Sequence, residues 1–200
     1  YKLAARKSWE DIMNQDGSFT IDSTIYSDYF KHDQFATLRL KDAIVDRFRA
    51  KTGERPSVDR DNPDARIHLH ISKQDVTISL DACGEPLSRR GYRSRKAIAP
   101  LNEVLAAGLL ALSGWEPGIT LYDPMCGSGT FTCEAALWAS GLPVQANRSH
   151  FAFMEWKNFN RTAWMTIRDE AMEFNEPIPT NIYASDINPD AISQIKYALS

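Results

Sequence analysis

The chain has 200 residues, 43% of them hydrophobic, and a formal net charge of −3. This length allows one or two domains, and the absence of any run of 18 apolar residues argues against a membrane-spanning helix. The three cysteines form no Cys-x-x-Cys pair, so we expect free thiols, no metal site and a cytoplasmic location. Because the chain begins at Tyr1 without an initiator methionine, we expect it to come from within a longer polypeptide.

The charges are unevenly distributed along the chain. Residues 1–100 carry 18 basic and 15 acidic side chains, a net +3, whereas residues 101–200 carry 5 and 11, a net −6. Such an asymmetry indicates a nucleic-acid contact on the basic side.

The first half predicts a small α+β domain that ends near Pro86. Hydrophobic periodicity predicts a short helix over Leu3 to Asn14, a strand over Ser18 to Ser23 and a longer helix from about Asp33 to Lys51. The predicted buried stripe of the longer helix is Phe35, Leu38, Ile44, Val45 and Phe48.

A β-hairpin is predicted next, because Arg66 to Ile71 and Val76 to Leu80 alternate with a period of two. His68 and His70 fall on one face of the first strand. A zinc site needs three or four ligands, and no third is near, so we assign both histidines to the polar face of the hairpin.

A basic segment, Arg-Arg-Gly-Tyr-Arg-Ser-Arg-Lys at residues 89–96, separates the two halves. Such a run is typical of a solvated linker, but arginines interleaved with glycine and tyrosine also suit phosphate contact and base stacking. We predict nucleic-acid contacts here, and the linker stays open as the alternative. The candidate residues are Arg89, Arg90, Tyr92, Arg93, Arg95 and Lys96.

Helical periodicity resumes at Pro100, which suits a first helical position, and Gly114 ends this helix. The helix is expected to pack beside the strand that follows it. Its predicted apolar face is Leu101, Val104, Leu105, Leu109, Leu110 and Leu112.

The most informative stretch is Asp-Pro-Met-Cys-Gly-Ser-Gly-Thr, from Asp123 to Thr130. The apolar run Ile119 to Tyr122 precedes it, and a predicted helix, Phe131 to Ser140, follows. Open α/β sheets bind nucleotide-like ligands where a strand, a glycine-rich turn and a helix come in this order. Gly127 and Gly129 would let a ligand approach the backbone closely.

The acid at the head of this loop, Asp123, indicates which ligand binds. A carboxylate would repel a pyrophosphate but would pair with S-adenosylmethionine, which carries an ammonium and a sulfonium and no phosphate. Thr132 replaces the last glycine of a dinucleotide fingerprint, and the absence of lysine between residues 97 and 156 argues against a P-loop. A tight turn without ligand is the alternative. The candidate cofactor-binding residues of the loop are Asp123, Pro124, Met125, Cys126, Gly127, Ser128, Gly129 and Thr130.

A second strand, Asn181 to Asp186, also ends in an acid, and Asn188 to Leu199 predicts the helix after it. An acid at this point typically accepts hydrogen bonds from ribose hydroxyls, so Asp186 is the ribose candidate and Ile187 an apolar contact for adenine. A helix-capping role for Asp186 would be compatible with this. The long separation from the loop predicts an insertion, residues 142–180, whose aromatic side chains we expect mainly in a core.

Seven stretches together match a known family: residues 41–48, 55–59, 79–81, 90–93, 99–103, 123–130 and 184–187. With them the chain resembles the THUMP-domain RNA methyltransferases, most closely the bacterial-type enzymes that methylate guanine N2 in 23S ribosomal RNA. The resemblance implies an α/β architecture: a THUMP domain (1–90), a basic linker (91–99) and the N-terminal portion of a Rossmann-like methyltransferase domain (100–200).

The resemblance also implies the ligands. S-adenosylmethionine would be the cofactor, contacted by the loop, by Asp186 and Ile187, and additionally by Leu101 and Asn102. RNA would be the partner, ribosomal RNA in the first place and transfer RNA as the alternative, with no membrane partner.

Two departures from the family pattern limit these expectations. The usual ferredoxin-like segment is absent or reduced to the first few residues, and the family's catalytic Asn-Pro-Pro-Tyr motif does not occur. We therefore assign no catalytic residue and expect the motif beyond Ser200, in a longer parent or in a second chain that supplies the remainder of the domain in trans. A tRNA guanine-N2 enzyme, an adenine-N6 enzyme and a catalytically incomplete RNA-binding module stay open as alternatives.

Overall fold

The structure, a computed structural model, describes residues 1–30, 33–93, 100–173 and 176–199. These residues form two compact units. The first consists of Tyr1–Glu85 and His150–Arg161, and the second of Pro86–Ser149 and Thr162–Ser200.

The first unit is built around one four-stranded sheet. Its helices are α1 (Lys2–Arg6) and α2 (Asp33–Thr52), with 3₁₀ turns at Trp9–Asp11 and Ala152–Glu155, and its strands are β1 (Ser18–Tyr26), β2 (Ser57–Val58), β3 (Ala65–Ser72) and β4 (Asp75–Leu80). The strand order is β2-β1-β3-β4. β1 runs parallel to β2 and β3, and β3 and β4 form the predicted antiparallel hairpin.

The core of this unit lies between β3 and α2. Alternate residues of β3, from Ala65 to Ile71, are buried in one cluster with Ile44 and Phe48 of α2. Phe35 and Leu38 were expected in this stripe but are 61% and 51% exposed. The helical repeat through Ile44 and Phe48 reaches Ala36 and Leu40 instead, and both are buried.

The other face of β3 carries His68 and His70, as the hairpin pattern predicts. The His68 ring lies 3.0 Å from the hydroxyl of Thr24 on β1. Within the described ranges, no three His, Cys, Asp or Glu side chains come together in a way that could hold a metal ion.

The N-terminal segment differs from the single helix predicted over residues 3–14. α1 ends at Arg6, and a separate 3₁₀ turn follows at Trp9–Asp11. The buried Trp9 ring donates a hydrogen bond from Nε1 to the carbonyl of Ala4 at 2.8 Å, which folds the turn back on α1. This long-range packing is not visible in the local periodicity.

The segment 150–161, expected within the insertion, packs with the first unit. Phe153 and Ala152 donate backbone hydrogen bonds to the carbonyls of Ala82 and Cys83, at 3.1 and 3.3 Å. The Phe153 ring stacks on Phe151 and contacts Phe159. All three rings are only partly buried, and none belongs to the core described for the first unit, so the predicted core role is not borne out for them.

The second unit has a two-stranded parallel sheet. Its elements are α3 (Glu103–Leu112), β5 (Leu121–Asp123), α4 (Thr130–Ser140), α5 (Arg161–Glu173), β6 (Ile182–Ala184) and α6 (Pro189–Ala198). β5 pairs with β6 in parallel. No helix among the described residues is long and apolar enough to cross a membrane.

Helix α3 begins later than expected and buries a narrower face. The side chain of Asn102 accepts a hydrogen bond from the Leu105 amide at 3.1 Å, so Asn102 is the N-cap and Pro100 lies before the helix. Leu110 is buried with Trp115 and Ala135, and Leu121 of β5 packs against them. Leu101 is partly buried, and four other residues predicted for this face are at least 42% exposed: Val104, Leu105, Leu109 and Leu112.

Candidate methyl-donor site

The glycine-rich loop connects β5 to α4, as predicted. Because β5 and β6 are parallel, their carboxyl ends lie at one edge of the sheet, and Asp123 and Asp186 lie at this edge. Gly129 adopts φ 79° and immediately precedes α4. A Cβ at this position would lie 2.3 Å from Cγ1 of Ile195, so the loop backbone passes directly against α6 where only glycine fits.

Asp186 braces the loop from the neighbouring strand. Its Oδ2 accepts a hydrogen bond from the Gly127 amide at 2.8 Å, and its Oδ1 accepts one from the Asn188 amide at 2.8 Å. These two bonds, with that from Asn188 first, lower the pKa of the Asp186 carboxyl. The N-cap of α6 is Asn188, whose side chain accepts from the Asp190 amide, so the capping role considered for Asp186 belongs to Asn188.

Asp123 is held from the helix side of the loop. Its Oδ2 accepts a hydrogen bond at 3.0 Å from the hydroxyl of Thr132, which is 3% exposed. Thr132 occupies the position at which a dinucleotide fingerprint has its last glycine, and here its hydroxyl orients the acid. The sequence pattern excluded a dinucleotide site at this residue but did not reveal its bond to Asp123.

The charged side chains that flank the loop are negative. In the part of the chain that the structure describes, neither Asp123 nor Asp186 forms an ion pair with a basic side chain. Burial raises the pKa of the Cys126 thiol, and the negative charges of Asp123 and then Asp186 raise it further. Two carboxylates without a cationic partner among the described residues therefore flank this loop, which suits a cationic ligand.

The other predicted contact residues lie in the loop, after β6 and at the starts of two helices. Met125 is 86% exposed and Ile187 is fully exposed, so both apolar side chains are accessible beside the loop. Leu101 and Asn102 lead into α3, and Thr130 begins α4. Contact of these residues with a cofactor stays a prediction.

The basic segment is organised differently from the expectation. Nε and Nη2 of Arg90 each lie 3.4 Å from the carboxylate of Glu134, and the Tyr92 hydroxyl donates to the same carboxylate at 2.8 Å. Glu134 is 5% exposed. Burial, followed by the bond to Glu134, raises the pKa of the Tyr92 hydroxyl.

Arg93 also has intramolecular partners, which include Glu103, a second buried carboxylate. Arg90, Tyr92 and Arg93 therefore have internal partners, because Glu134 and Glu103 are buried and need neutralising partners. Arg95 and Lys96 lie outside the described residues. Contact of the basic segment with nucleic acid stays a prediction.

Comparison with known families matches two stretches of the chain. Residues 1–81 match the THUMP domain. Residues 90–199, more than half of the chain, match the RMKL-like methyltransferase domain. The chain belongs to the RMKL-like methyltransferase family. The α/β fold and the resemblance to THUMP-containing methyltransferases are thereby confirmed.

Three solved structures of similar proteins match nearly the whole length of this chain. A predicted N6-adenine-specific DNA methylase from Listeria monocytogenes is 28% identical with a TM-score of 0.86, and a possible methylase from Clostridium difficile is 30% identical with a TM-score of 0.85. SMU.472, a presumed methyltransferase solved in complex with SAH, is 26% identical with a TM-score of 0.85. Each match covers 98% of this chain and 52% of the other, so the chain spans about half the length of these structures.

TrmN from Thermus thermophilus shares the fold at a greater distance. It is 20% identical with a TM-score of 0.60, and the match covers 98% of this chain and 46% of TrmN. At this identity the likeness concerns the fold alone.

Proposed function

We propose that the chain is the THUMP and donor-binding part of an S-adenosylmethionine-dependent RNA methyltransferase. The observation that carries this proposal is the β5–α4 loop, where two carboxylates that have no basic partner in the described part of the chain flank left-handed glycines. Membership of a methyltransferase family supports it. So does the complex of SMU.472 with SAH, the demethylated form of the proposed donor.

The two carboxylates have different proposed roles. Asp123 pairs with the cationic end of the donor, because one of its oxygens is oriented by Thr132 while the other has no hydrogen-bond partner among the described residues. Asp186 accepts from the ribose hydroxyls. An ionised carboxylate can accept about four hydrogen bonds, and Gly127 and Asn188 use two of them.

The proposed acceptor is the exocyclic N2 of a guanine in 23S ribosomal RNA. In such a reaction the nitrogen attacks the methyl carbon, the C–N bond forms as the C–S bond breaks, and a proton leaves the nitrogen. Catalysis then depends mainly on orienting an extruded base against the methyl group. This chain contributes the donor side of that arrangement.

RNA is the proposed partner because residues 1–81 match a THUMP domain. Arg89, Arg95 and Lys96 are the proposed phosphate contacts of the basic segment, and a transfer RNA is the alternative substrate. The buried residues Cys126 and Cys133 are free thiols, which supports the proposed cytoplasmic location.

A second candidate function is methylation of adenine N6 in DNA. The observation that favours it is the likeness to the Listeria protein, which is described as a predicted N6-adenine-specific DNA methylase. The donor site would be the same in both cases, so the acceptor must be identified chemically.

Methyl transfer from labelled S-adenosylmethionine by the full-length protein separates these functions. Ribosomal RNA, transfer RNA and DNA are offered in parallel, and the products are digested to nucleosides for mass spectrometry. We expect N2-methylguanosine from ribosomal RNA, at a rate strongly reduced in the Asp123→Asn variant. N6-methyladenine in DNA would select the second candidate, and absence of label from all three substrates would contradict both.

A further inference from the structure

The guanidinium of Arg93 connects three groups of the second unit. Its Nη2 donates to the backbone carbonyl of Leu101 and to the hydroxyl of Thr130, the latter at 2.8 Å. Its Nη1 lies 3.2 Å from Oε1 of Glu103. One side chain therefore makes directional contacts with a backbone carbonyl, a hydroxyl and a carboxylate.

These three groups belong to the first turns of two helices. Leu101 precedes Asn102, the N-cap of α3, and Glu103 is the first residue of that helix. Thr130 is the first residue of α4 and follows the left-handed Gly129 that closes the donor loop. Arg93 therefore fixes the start of α3 relative to the last residue of the loop.

This connection is shielded from water. The side chains of Arg93 and Glu103 are 22% and 10% exposed, and Thr130 is 4% exposed. Hydrogen bonds to charged groups are stronger when water is excluded, and the planar fork of arginine holds several acceptors in fixed directions. Lysine would conserve the charge but not the fork.

We propose that Arg93 is a positioning residue for the methyl donor: it holds Thr130 and Leu101 so that the loop has its binding geometry before the ligand arrives. This inference rests on the proposed function, because the geometry matters only if the loop binds the donor. In this role Arg93 acts on the loop through Thr130 and Leu101.

The Arg93→Lys variant tests the proposal. Lysine can remain paired with Glu103 but cannot bridge both helix starts, so the affinity for S-adenosylmethionine should fall about tenfold, as expected for the loss of one charge-assisted hydrogen bond. The Michaelis constant for the donor should rise, while that for RNA should not change. Thermal unfolding of both variant and wild type shows whether a loss of folding accounts for the effect.

Arg47→Lys is the matched control. Arg47 forms a comparable ion pair with Glu10 in the first unit, with side chains 18% and 23% exposed. If these arginines only stabilise their units, both lysine variants should leave donor affinity unchanged. We expect a loss for Arg93→Lys alone.

A second pair of variants tests the same connection without changing charge. Thr130→Val removes the hydroxyl that accepts from Arg93 and should bind the donor about tenfold more weakly, whereas Thr130→Ser keeps this hydroxyl and should lose less affinity. If Arg93 acts through Thr130, combining Thr130→Val with Arg93→Lys should cost less than the sum of the single losses. Additive losses would overturn the proposal.

Calorimetric titration of the full-length protein keeps the two proposals distinguishable. Failure of the wild type to bind S-adenosylmethionine would overturn the proposed function and, with it, the role of Arg93. Wild-type binding together with unchanged affinity in Arg93→Lys and Thr130→Val would overturn only the positioning role.

Discussion

The interior of each of the two units is stabilised in a different way. The first has a continuous core in which Phe19, Ile44 and Phe48 are at most 1% exposed. In the described part of the second unit, the main cluster of buried apolar residues has only three members: Leu110, Trp115 and Ala135. Tyr122 and Tyr183 stack on each other there while 71% and 53% exposed.

This difference shows what keeps the donor loop in place. Polar connections surround it: Asp186 to Gly127, Thr132 to Asp123, and Arg93 to Thr130. Apolar packing is non-directional and tolerates small shifts, whereas hydrogen bonds fix atoms in distance and angle. A site that must present its backbone to a ligand is therefore better supported by hydrogen bonds than by apolar packing alone.

The largest effect is expected from a core substitution in the first unit. Phe48→Ala removes a side chain that is 1% exposed and should lower the free energy of unfolding by about 3–5 kcal/mol in urea denaturation. Phe35→Ala, on the same helix, removes a side chain that is 61% exposed and should change stability by less than about 0.5 kcal/mol. Equal losses would show that the core has been assigned to the wrong face of α2.

The next largest effect on stability is expected at Gly129, and Gly53 is its control because both glycines have the same backbone conformation. Gly129 and Gly53 both have φ 79°, but a Cβ at Gly53 would meet nothing within 4 Å. Gly53→Ala should therefore cost only the left-handed strain, roughly 1–2 kcal/mol. Gly129→Ala should cost more, because of the clash with Ile195, and should also abolish donor binding. If the two variants were equally stable, the loop would not be packed against α6 as described.

A smaller effect on stability is expected at Glu134, the buried carboxylate of α4. Tyr92→Phe removes one of the hydrogen bonds to Glu134 and should lower stability by about 1–3 kcal/mol. Tyr29→Phe is the control, since the Tyr29 hydroxyl accepts a hydrogen bond from Gln74 at an exposed site and should matter little. Chemical denaturation of both variants measures the difference, and a neutral Tyr92→Phe would mean that polar connections do not support this unit.

The smallest effect is a pH dependence in the first unit. The hydrogen bond from Arg47 lowers the pKa of Glu10 from its ordinary value of 4.5 to about 2. Because the folded-state pKa is lowered, the stabilisation is present above about pH 4.5 and is lost as the pH falls towards 2. Glu10→Gln should therefore lower the free energy of unfolding at neutral pH, and its difference from the wild type should shrink on acidification. A difference independent of pH would contradict the pairing.

The sequence predicts the elements whose signals are local. Period-two alternation identifies β3 and β4, and the 3.6-residue repeat identifies α2 to within one residue at its end. The donor loop is recognised from its own residues, because a carboxylate and two glycines between a strand and a helix form a compact signal.

Features that depend on distant partners are not predicted. The bonds from Arg90 and Tyr92 to the buried Glu134, more than forty residues away, have no local signal in the sequence. The return of residues 150–161 to the first unit has no local signature either, since its hydrogen bonds are made with Ala82 and Cys83. In each case the deciding fact is a contact with a residue far away in the sequence, which periodicity does not report.

Calorimetric titration of the full-length protein with S-adenosylmethionine, compared with the Asp123→Asn variant, tests the central claim most directly. Asparagine has nearly the same size and can still accept from Thr132, but it lacks the negative charge. We predict one saturable site in the wild type and an affinity at least about tenfold lower in the variant, since a hydrogen bond to a charged group is lost. Absence of binding, or equal affinity in both proteins, would contradict the assignment of this loop as the methyl-donor site.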